Sequence, residues 1–418
     1  MTDSRPDKPM TLRPARFCFA QTLALLLLGI APLPLGWGKA RDVIESTRSP
    51  EMNRNDRESS TAGYYQGLIG GGEGPQGGRS ELALRLLGKP TEWVRFHASN
   101  VTYPLPDGDF LQFELKTNVR KTLFGHPFTT NAHGMRDREY TKEKPPGVFR
   151  IAVLGSSMDM GWGIGTEETY VNLLEDWLNV HAAKRGLHRR FEVLNFAVAA
   201  YSPLQRLESY RRKARAFQPD MVVYSATMLD IRLMEIHLCD LFRGHSDLGF
   251  DFVRSAITTA GLTDEDLRTD SEDRLVYKDV VKQKLRDQYW PLYDDVIGEL
   301  AAECRSEKIA IACVIIPRVG KADAPAARAE PVARLKGIAA HHAVPLYDLS
   351  GTFDNQDPAQ FEIAAWDDHP NAFGHHRLFL GLSRALVDDT ELYQMMFAER
   401  EDKFVGSAAR INIPEDLD

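Results

Sequence analysis

Apolar runs without polar alternation recur along the chain between about residue 149 and residue 348, and each is four to eight residues long. A strand that is buried on both faces has this pattern, because neither of its sides meets water. The pattern predicts strands at Ile151–Leu154, Val193–Val198, Met221–Ala226, Ile309–Ile316 and Val344–Asp348.

Between these runs, apolar residues recur at helical spacing. After the first strand they include Tyr170 and Leu174, which lie on one face of a helix. Ser202-Pro203 opens the next helix, because serine caps a helix, proline suits its first position and Gln205 completes a capping box. Strands that alternate with helices predict an α/β fold, namely a doubly wound, mostly parallel five-stranded sheet with helices on both faces.

The flanking segments have other patterns. Residues 92–148 hold short β-type runs broken by proline and glycine, which predict a small β extension. Residues 41–91 are polar and then glycine-rich, so we expect a flexible tether. The main domain spans 149–389, and an insert at 231–288 interrupts its alternation. We expect the insert to form either a cap over the carboxyl edge of the sheet or a peripheral excursion, and 390–418 to be a C-terminal tail.

Residues 1–40 have the pattern of an export segment. Arg13 and Arg16 precede an uncharged stretch, from Phe17 to Gly38, whose centre is rich in leucine. A basic flank before an apolar core is typical of a signal peptide, and an uncharged stretch of about 18 or more residues is also long enough to anchor a chain in a bilayer. We therefore expect an exported protein, either anchored in the membrane by this segment or periplasmic or extracellular after its cleavage.

Composition narrows the possible partners and cofactors. The net charge is −8, with acidic and basic residues interspersed, so the chain lacks the basic surface of a nucleic-acid-binding protein. The four cysteines form no Cys-x-x-Cys pair and no Cys/His cluster with zinc spacing. We therefore expect no metal site, no disulfide framework and no cofactor.

The candidate chemistry lies at both ends of the main domain. The first strand runs into a Gly-Ser turn that ends at Ser157. A serine between a strand and a helix can present its hydroxyl at the sheet edge, with backbone N–H groups facing a developing oxyanion. Asp367-Asp368-His369 precedes the last helix. A serine hydroxyl needs a base to take its proton, and the base needs a carboxylate to hold its tautomer, so one short loop supplies both partners.

With these residues in this order, residues 149–389 resemble the SGNH/GDSL hydrolases, a family of serine esterases and lipases. The matching blocks are Gly155-Ser156-Ser157, Asn195 to Ala200, Pro219-Asp220 with Thr227 to Asp230, and Asp367 to Asn371. The resemblance implies a flavodoxin-like three-layer fold, Ser157 as nucleophile and His369 as base. It also implies an oxyanion hole formed by the N–H groups of Ser157 and Ala200, and no metal.

Some positions depart from the family pattern. Ser156 replaces the usual aspartate, which is not the nucleophile. Ala200 replaces a glycine, although alanine keeps the backbone N–H. Leu229 replaces the asparagine that supplies the third oxyanion donor, and removing such a donor typically costs ~2.7–4 kcal/mol of transition-state stabilisation. Thr227 and Asn195 are the candidate substitutes.

The carboxylate partner of His369 is a choice between neighbours. In the family it precedes the histidine by three positions or by two, and Trp366 occupies the first of these. The partner is therefore Asp367 or the adjacent Asp368. We favour Asp367, because alternate residues of an extended segment share a side while neighbours point apart.

These features predict an ester hydrolase that works through an acyl-enzyme. The resemblance and the export signal together suggest O-acetyl groups on envelope or extracellular polysaccharide as the substrate. Two alternatives stay open. The same fold supports O-acetyl transfer, in which an alcohol intercepts the acyl-enzyme. A non-catalytic carbohydrate-binding module with a degenerate oxyanion hole would account for Leu229.

Overall fold

A computed structural model describes residues 101–397, except for 107, 124, 244–247, 264–265, 267–273, 321–322 and 365–366. The predicted export segment 1–40, the predicted tether 41–91, Trp366 and the residues after 397 lie outside the described residues. Within the part of the chain that is described, no helix is long and apolar enough to cross a membrane.

The β extension consists of antiparallel pairs. Strand β1 (Thr102–Pro104) pairs with β2 (Phe113–Leu115), and β3 (Arg120–Leu123) pairs with β4 (His126–Thr129). The extension is held to the main domain by hydrogen bonds to its backbone carbonyls. For example, the hydroxyl of Tyr201 donates to the carbonyl of Phe113 over 2.7 Å.

The central sheet confirms the predicted fold class. Its strands are β5 (Val148–Leu154), β6 (Arg190–Asn195), β7 (Met221–Ala226), β8 (Ala310–Ile315) and β9 (Leu346–Asp348). All neighbours are parallel, in the order β6-β5-β7-β8-β9. The strands β6 and β7 lie on opposite sides of β5, so the carboxyl end of β5 is the switch point at which folds of this kind bind their ligands.

Helices separate the strands along the chain. Those among the described residues are α1 (Ser157–Met160), α2 (Tyr170–Lys184), α3 (Pro203–Arg212), α4 (Asp230–Arg243), α5 (Asp251–Thr259), α6 (Arg274–Leu285), α7 (Tyr289–Ser306), α8 (Pro325–His341), α9 (Ala372–Asp388) and α10 (Thr390–Phe397). Helix α3 begins as the sequence predicts, because the Ser202 hydroxyl accepts the Gln205 N–H and the Gln205 side chain accepts the Ser202 N–H.

Each strand of the sheet contributes to two apolar cores, because successive side chains point to opposite faces. Ile151 and Val223 pack in one core, together with side chains from α2, α9 and α10. Ala152 and Tyr224 pack in the other core, together with side chains from α3 to α8. This two-sided burial is why the strands of the sequence lack polar alternation.

The predicted insert at 231–288 forms helices α4, α5 and α6. Leu238 of α4, Val253 of α5 and Leu285 of α6 are fully buried in the same core as α3 and α7. The segment is rich in polar residues, which is why the sequence leaves a surface excursion open. Its apolar residues nevertheless enlarge one core of the domain.

The predicted tail at 390–418 begins with a helix. In α10, Tyr393, Met396 and Phe397 are buried in the core of the α2–α9 face. The Arg185 side chain also donates to the Tyr393 hydroxyl over 2.6 Å. The prediction of a tail from residue 390 is wrong for residues 390–397, because four buried side chains, those named and Leu392, are enough to dock a short helix.

A buried ion pair joins α3 to the start of α4. The Arg206 guanidinium donates to both carboxylate oxygens of Asp230, over 2.7 and 3.0 Å, and neither side chain is exposed by more than 2%. Arg206 also donates to the carbonyl of Ser225 at the end of β7, and Asp230 accepts the hydroxyl of Tyr293 over 2.7 Å. The pair thus fixes the carboxyl end of β7 between two helices.

Replacing Arg206 by methionine should lower the free energy of unfolding by ~3–5 kcal/mol, because the Asp230 carboxylate then stays buried without its charge partner. The matched control is Arg212→Met on the same helix. Arg212 is 40% exposed and pairs with Asp109 and Glu208, so its loss should cost at most ~1 kcal/mol. Urea denaturation of both variants measures the difference, and equal losses would contradict this assignment.

Candidate active site

The turn after β5 is built around a buried aspartate in α1. The Asp159 carboxylate accepts the backbone N–H of Ser156 over 2.7 Å. A Cβ atom at position 155 would lie only 2.1 Å from that carboxylate, so Gly155 is the residue that permits the turn. Ser157, the first residue of α1, is thereby held at the carboxyl end of β5 with 1% of its surface exposed.

Asp159 also ties the turn to neighbouring elements. Its other carboxylate oxygen accepts the Tyr170 hydroxyl over 2.6 Å, and its backbone carbonyl accepts the Asn195 side-chain amide over 2.8 Å. Complete burial raises the pKa of the Asp159 carboxyl, and the hydrogen bond from Tyr170 opposes that shift. The turn is therefore fixed to α2 through the carboxylate of Asp159 and to β6 through its backbone carbonyl.

A β-hairpin brings the histidine to Ser157. Strand β10 (Glu362–Ala364) pairs with β11 (Asp367–Pro370). His369 Nε2 lies 2.8 Å from Ser157 Oγ, and His369 Nδ1 lies 2.5 Å from Asp367 Oδ1. A carboxylate only accepts hydrogen bonds, so Nδ1 carries the proton and Nε2 accepts from the serine hydroxyl. His369 is 3% exposed and Asp367 is 8% exposed.

Trp162 is a further polar contact of Asp367, and sequence reasoning missed it. Its indole N–H donates to Asp367 Oδ2 over 3.3 Å, and its side chain is 2% exposed. The neighbouring Gly163 has a φ of +77°, and a Cβ there would lie 2.3 Å from Ile363 of β10. The loop after α1 thus packs directly against the hairpin. The three glycines of this loop, Gly161, Gly163 and Gly165, were the signal in the sequence.

Asp368 points away from His369. Its carboxylate accepts the Arg318 guanidinium over 3.1 Å, and its backbone carbonyl accepts the Val319 N–H over 2.9 Å. Arg318 is held in turn by Asp323, whose carboxylate accepts the Arg318 N–H and guanidinium over 2.8 Å. Because residues 367 and 369 share one side of β11 and residue 368 faces the other, the structure places Asp367 rather than Asp368 beside the imidazole.

The two predicted oxyanion donors follow adjacent strands, Ser157 after β5 and Ala200 after β6. Within the described part of the chain, neither backbone N–H donates to another residue. Ala200 has a φ of +67°, in the left-handed region where a Cβ costs roughly 1–2 kcal/mol. The backbone therefore keeps the conformation that suits glycine although the residue is alanine.

The expected substitutes for the third donor are engaged elsewhere. The Thr227 hydroxyl donates to Asp230 over 2.9 Å, so its proton is committed to the buried ion pair. The Asn195 amide donates to the carbonyl of Asp159, and its oxygen accepts the Ala197 N–H over 3.1 Å. The hydrogen bond from the Ala197 N–H to the Asn195 side chain turns the chain. Strand β6 therefore ends at Asn195 and not at the predicted Val198.

Among the other histidines near the C-terminus, His341 and His376 are exposed, but His375 lies inside the protein. His375 is fully buried, and its Nδ1 accepts the Tyr170 N–H over 3.2 Å. Burial, with the nearby charges of Arg136 and His369, lowers the pKa of His375 to about 3, so its imidazole is neutral. His341 and His342 share a carboxylate partner on another helix, as described below.

Comparison with known proteins gives no sequence family. No protein-family model matches the chain, and no curated protein matches it. The solved structures that match include an acylhydrolase, esterases and lipases. The match to TesA has 15% identity and a TM-score of 0.35, and covers 57% of this chain and 97% of that one.

Two further matches are similar in extent. A mutant of Axe2, an acetyl-xylooligosaccharide esterase from Geobacillus Stearmophilus, is 16% identical with a TM-score of 0.36, over 56% of this chain and 93% of that one. A GDSL-like lipase from Bacteroides thetaiotaomicron is 12% identical with a TM-score of 0.33, over 57% of this chain and 88% of that one. The function proposed below rests on the contacts of Ser157, Asp367 and His369.

The contacts of Arg318 predict that it positions the segment between Asp367 and His369. In Arg318→Met, turnover of an activated acetyl ester should fall by up to about 100-fold, because sub-ångström placement of a base matters on that scale, with KM nearly unchanged. Burial raises the pKa of Asp368 and the charge of Arg318 opposes this. Removing Arg318 should therefore raise the pKa of Asp368 further, which an NMR titration of that carboxyl group measures.

Arg318→Lys is the control, since it keeps the charge and should recover the pKa of Asp368. A loss of turnover in Arg318→Met with an unchanged pKa of Asp368 would mean that the residue has only a folding role.

Proposed function

We propose that the chain is a serine hydrolase that cleaves carboxylic esters through an acyl-enzyme. The observation that carries the proposal is the continuous hydrogen-bonded series from Ser157 Oγ to His369 Nε2 and from His369 Nδ1 to Asp367 Oδ1. A nucleophile, a base and a carboxylate that orients the base are the elements of a catalytic triad on any fold.

In the proposed reaction, Ser157 Oγ attacks the ester carbonyl while His369 Nε2 takes its proton. The resulting imidazolium is stabilised by Asp367, which stays ionised. His369 then returns the proton to the leaving alcohol, which departs and leaves the acyl group on Ser157. Water then gives a proton to His369 Nε2 and attacks the acyl carbonyl. His369 passes this proton to Ser157 Oγ as the bond between Oγ and the acyl carbon breaks, which releases the acid and the free serine.

The oxyanion in this scheme accepts the N–H groups of Ser157 and Ala200. The position of the usual third donor holds Leu229, and both Thr227 and Asn195 are bonded elsewhere. One missing donor typically costs ~10²–10³ in turnover. We therefore expect a working hydrolase that is slower than one with a complete oxyanion hole, and not an inactive binding module.

For the substrate we propose a short acyl ester, such as O-acetyl on an extracellular or envelope polysaccharide. The predicted export segment and the family resemblance support it. A second candidate is O-acetyl transfer, in which an alcohol instead of water attacks the acyl-enzyme. Product analysis with a sugar present, for free acetate or for a new sugar ester, separates the two.

Replacing Ser157 by alanine should abolish both labelling by a fluorophosphonate probe and hydrolysis of p-nitrophenyl acetate, because the Ser157 hydroxyl lies 2.8 Å from His369 Nε2, the proposed base. The neighbouring Ser156→Ala is the matched control and should keep both signals. Labelling that survives in Ser157→Ala and disappears in Ser156→Ala would overturn the assignment of the nucleophile.

The two aspartates of β11 provide a second test. Asp367→Asn should lower turnover by about 10⁴, since an amide stabilises the wrong imidazole tautomer. Asp368→Asn keeps an oxygen that accepts from Arg318 and should cost no more than about tenfold, because this side chain does not touch the imidazole. Turnover of p-nitrophenyl acetate and circular dichroism are measured on both variants. Equal, small losses would mean that no carboxylate orients His369.

A further inference from the structure

Two imidazoles and a carboxylate meet where helices α7 and α8 adjoin. Asp294 lies in the second turn of α7, His341 is the last residue of α8, and His342 follows it. His341 Nδ1 and His342 Nε2 both lie 3.1 Å from Asp294 Oδ1. The three ligand atoms all lie within 4.8 Å of one another. Asp294 precedes His341 by 47 residues and His342 by 48 residues, so no local spacing in the sequence shows the cluster.

The chain makes room for one of these rings with a glycine. Gly298 lies one turn after Asp294 on the same face of α7, because residues four apart are neighbours on a helix. A Cβ at position 298 would lie 2.7 Å from His342 Cε1, so only glycine lets the ring rest against the helix. Glycine weakens a helix interior, and here it lets the His342 side chain lie beside Asp294.

We propose that Asp294, His341 and His342 bind a divalent transition metal ion, for which Zn²⁺ is the best fit. Two imidazole nitrogens and a carboxylate oxygen suit zinc, with water as the fourth ligand. The nitrogen–oxygen separations of 3.1 Å are close to the edge of a zinc tetrahedron, about 3.4 Å for metal–ligand distances of about 2.1 Å. Small movements of the two rings would admit the ion.

Exposure and local charge agree with this proposal. The side chain of His341 is 66% exposed, and those of Asp294 and His342 are 32% and 18% exposed. A metal ion can therefore reach the three side chains from solvent, and its fourth coordination position faces water. Asp295 adds a second carboxylate beside Asp294 on α7. The Arg305 guanidinium donates to the His342 carbonyl over 3.0 Å and holds the backbone that carries the ring.

A metal here would join two helices that flank the sheet. Since a preformed site exists only in the folded chain, the ion would stabilise the fold in proportion to its concentration. The site shares no residue with the candidate triad, so ester hydrolysis should not need the metal. The test must nevertheless separate the two, because Asp367, Asp368 and His369 also bring ligand atoms within 4.8 Å of one another.

The experiment is zinc titration by calorimetry on the full chain, with Co²⁺ as a spectroscopic probe of tetrahedral coordination. The wild type should bind one ion at this site and melt at a higher temperature as zinc is added. His342→Asn and Asp294→Asn should each weaken zinc binding by more than about 100-fold, because even a partner outside the coordination sphere is worth about 10–100-fold. Their circular dichroism and ester hydrolysis should match those of the wild type.

His126→Asn is the matched control, since His126 is about half exposed and pairs with one carboxylate, Glu168, at 3.7 Å. It should leave zinc binding unchanged, as should His369→Asn. The proposal is overturned if the wild type binds no zinc in the millimolar range. It is equally overturned if binding persists in His342→Asn and Asp294→Asn, or is lost in His369→Asn.

Discussion

The hydrogen bond between the Ser156 N–H and the buried Asp159 carboxylate is the contact on which the candidate site depends. It closes a turn of four residues, from Ser156 to Asp159, directly after β5. That closure requires a glycine at 155, and it places Ser157 at the start of a helix where its hydroxyl faces the hairpin. Tyr170 and Asn195 hold the same aspartate from α2 and β6, so the turn cannot shift without disturbing three elements.

The partner of this turn is a short hairpin with little core of its own. It is held at three points: Ile363 packs against Gly163, Trp162 donates to Asp367, and Arg318 pairs with Asp368. Two of these contacts hold the successive residues Asp367 and Asp368 of β11, and the third holds Ile363 of β10. The imidazole is therefore oriented by the hairpin as a whole, in addition to its own bond to Asp367.

Much of this arrangement follows from simple rules of sequence. Strands buried on both faces have unbroken apolar runs, so the sheet was predictable, and period-two alternation places Asp367 on the side of His369. Other features depend on partners that are distant in the chain and carry no local signal. Arg318 meets Asp368 from 50 residues away, and His375 looks like a surface residue until α9 is packed against α2. The short helix α10 is docked by four side chains, but its eight residues are too few for a periodic pattern to identify it.

The left-handed backbone at Ala200 has a consequence for how catalytic work is divided. Strain of this kind persists only where the surroundings over-determine the conformation, so the N–H direction is set when the chain folds. In the proposed mechanism that dipole needs no reorganisation when negative charge develops on the substrate. Part of the activation barrier is thus transferred to the folding equilibrium, where it appears as slightly lower stability of the resting protein.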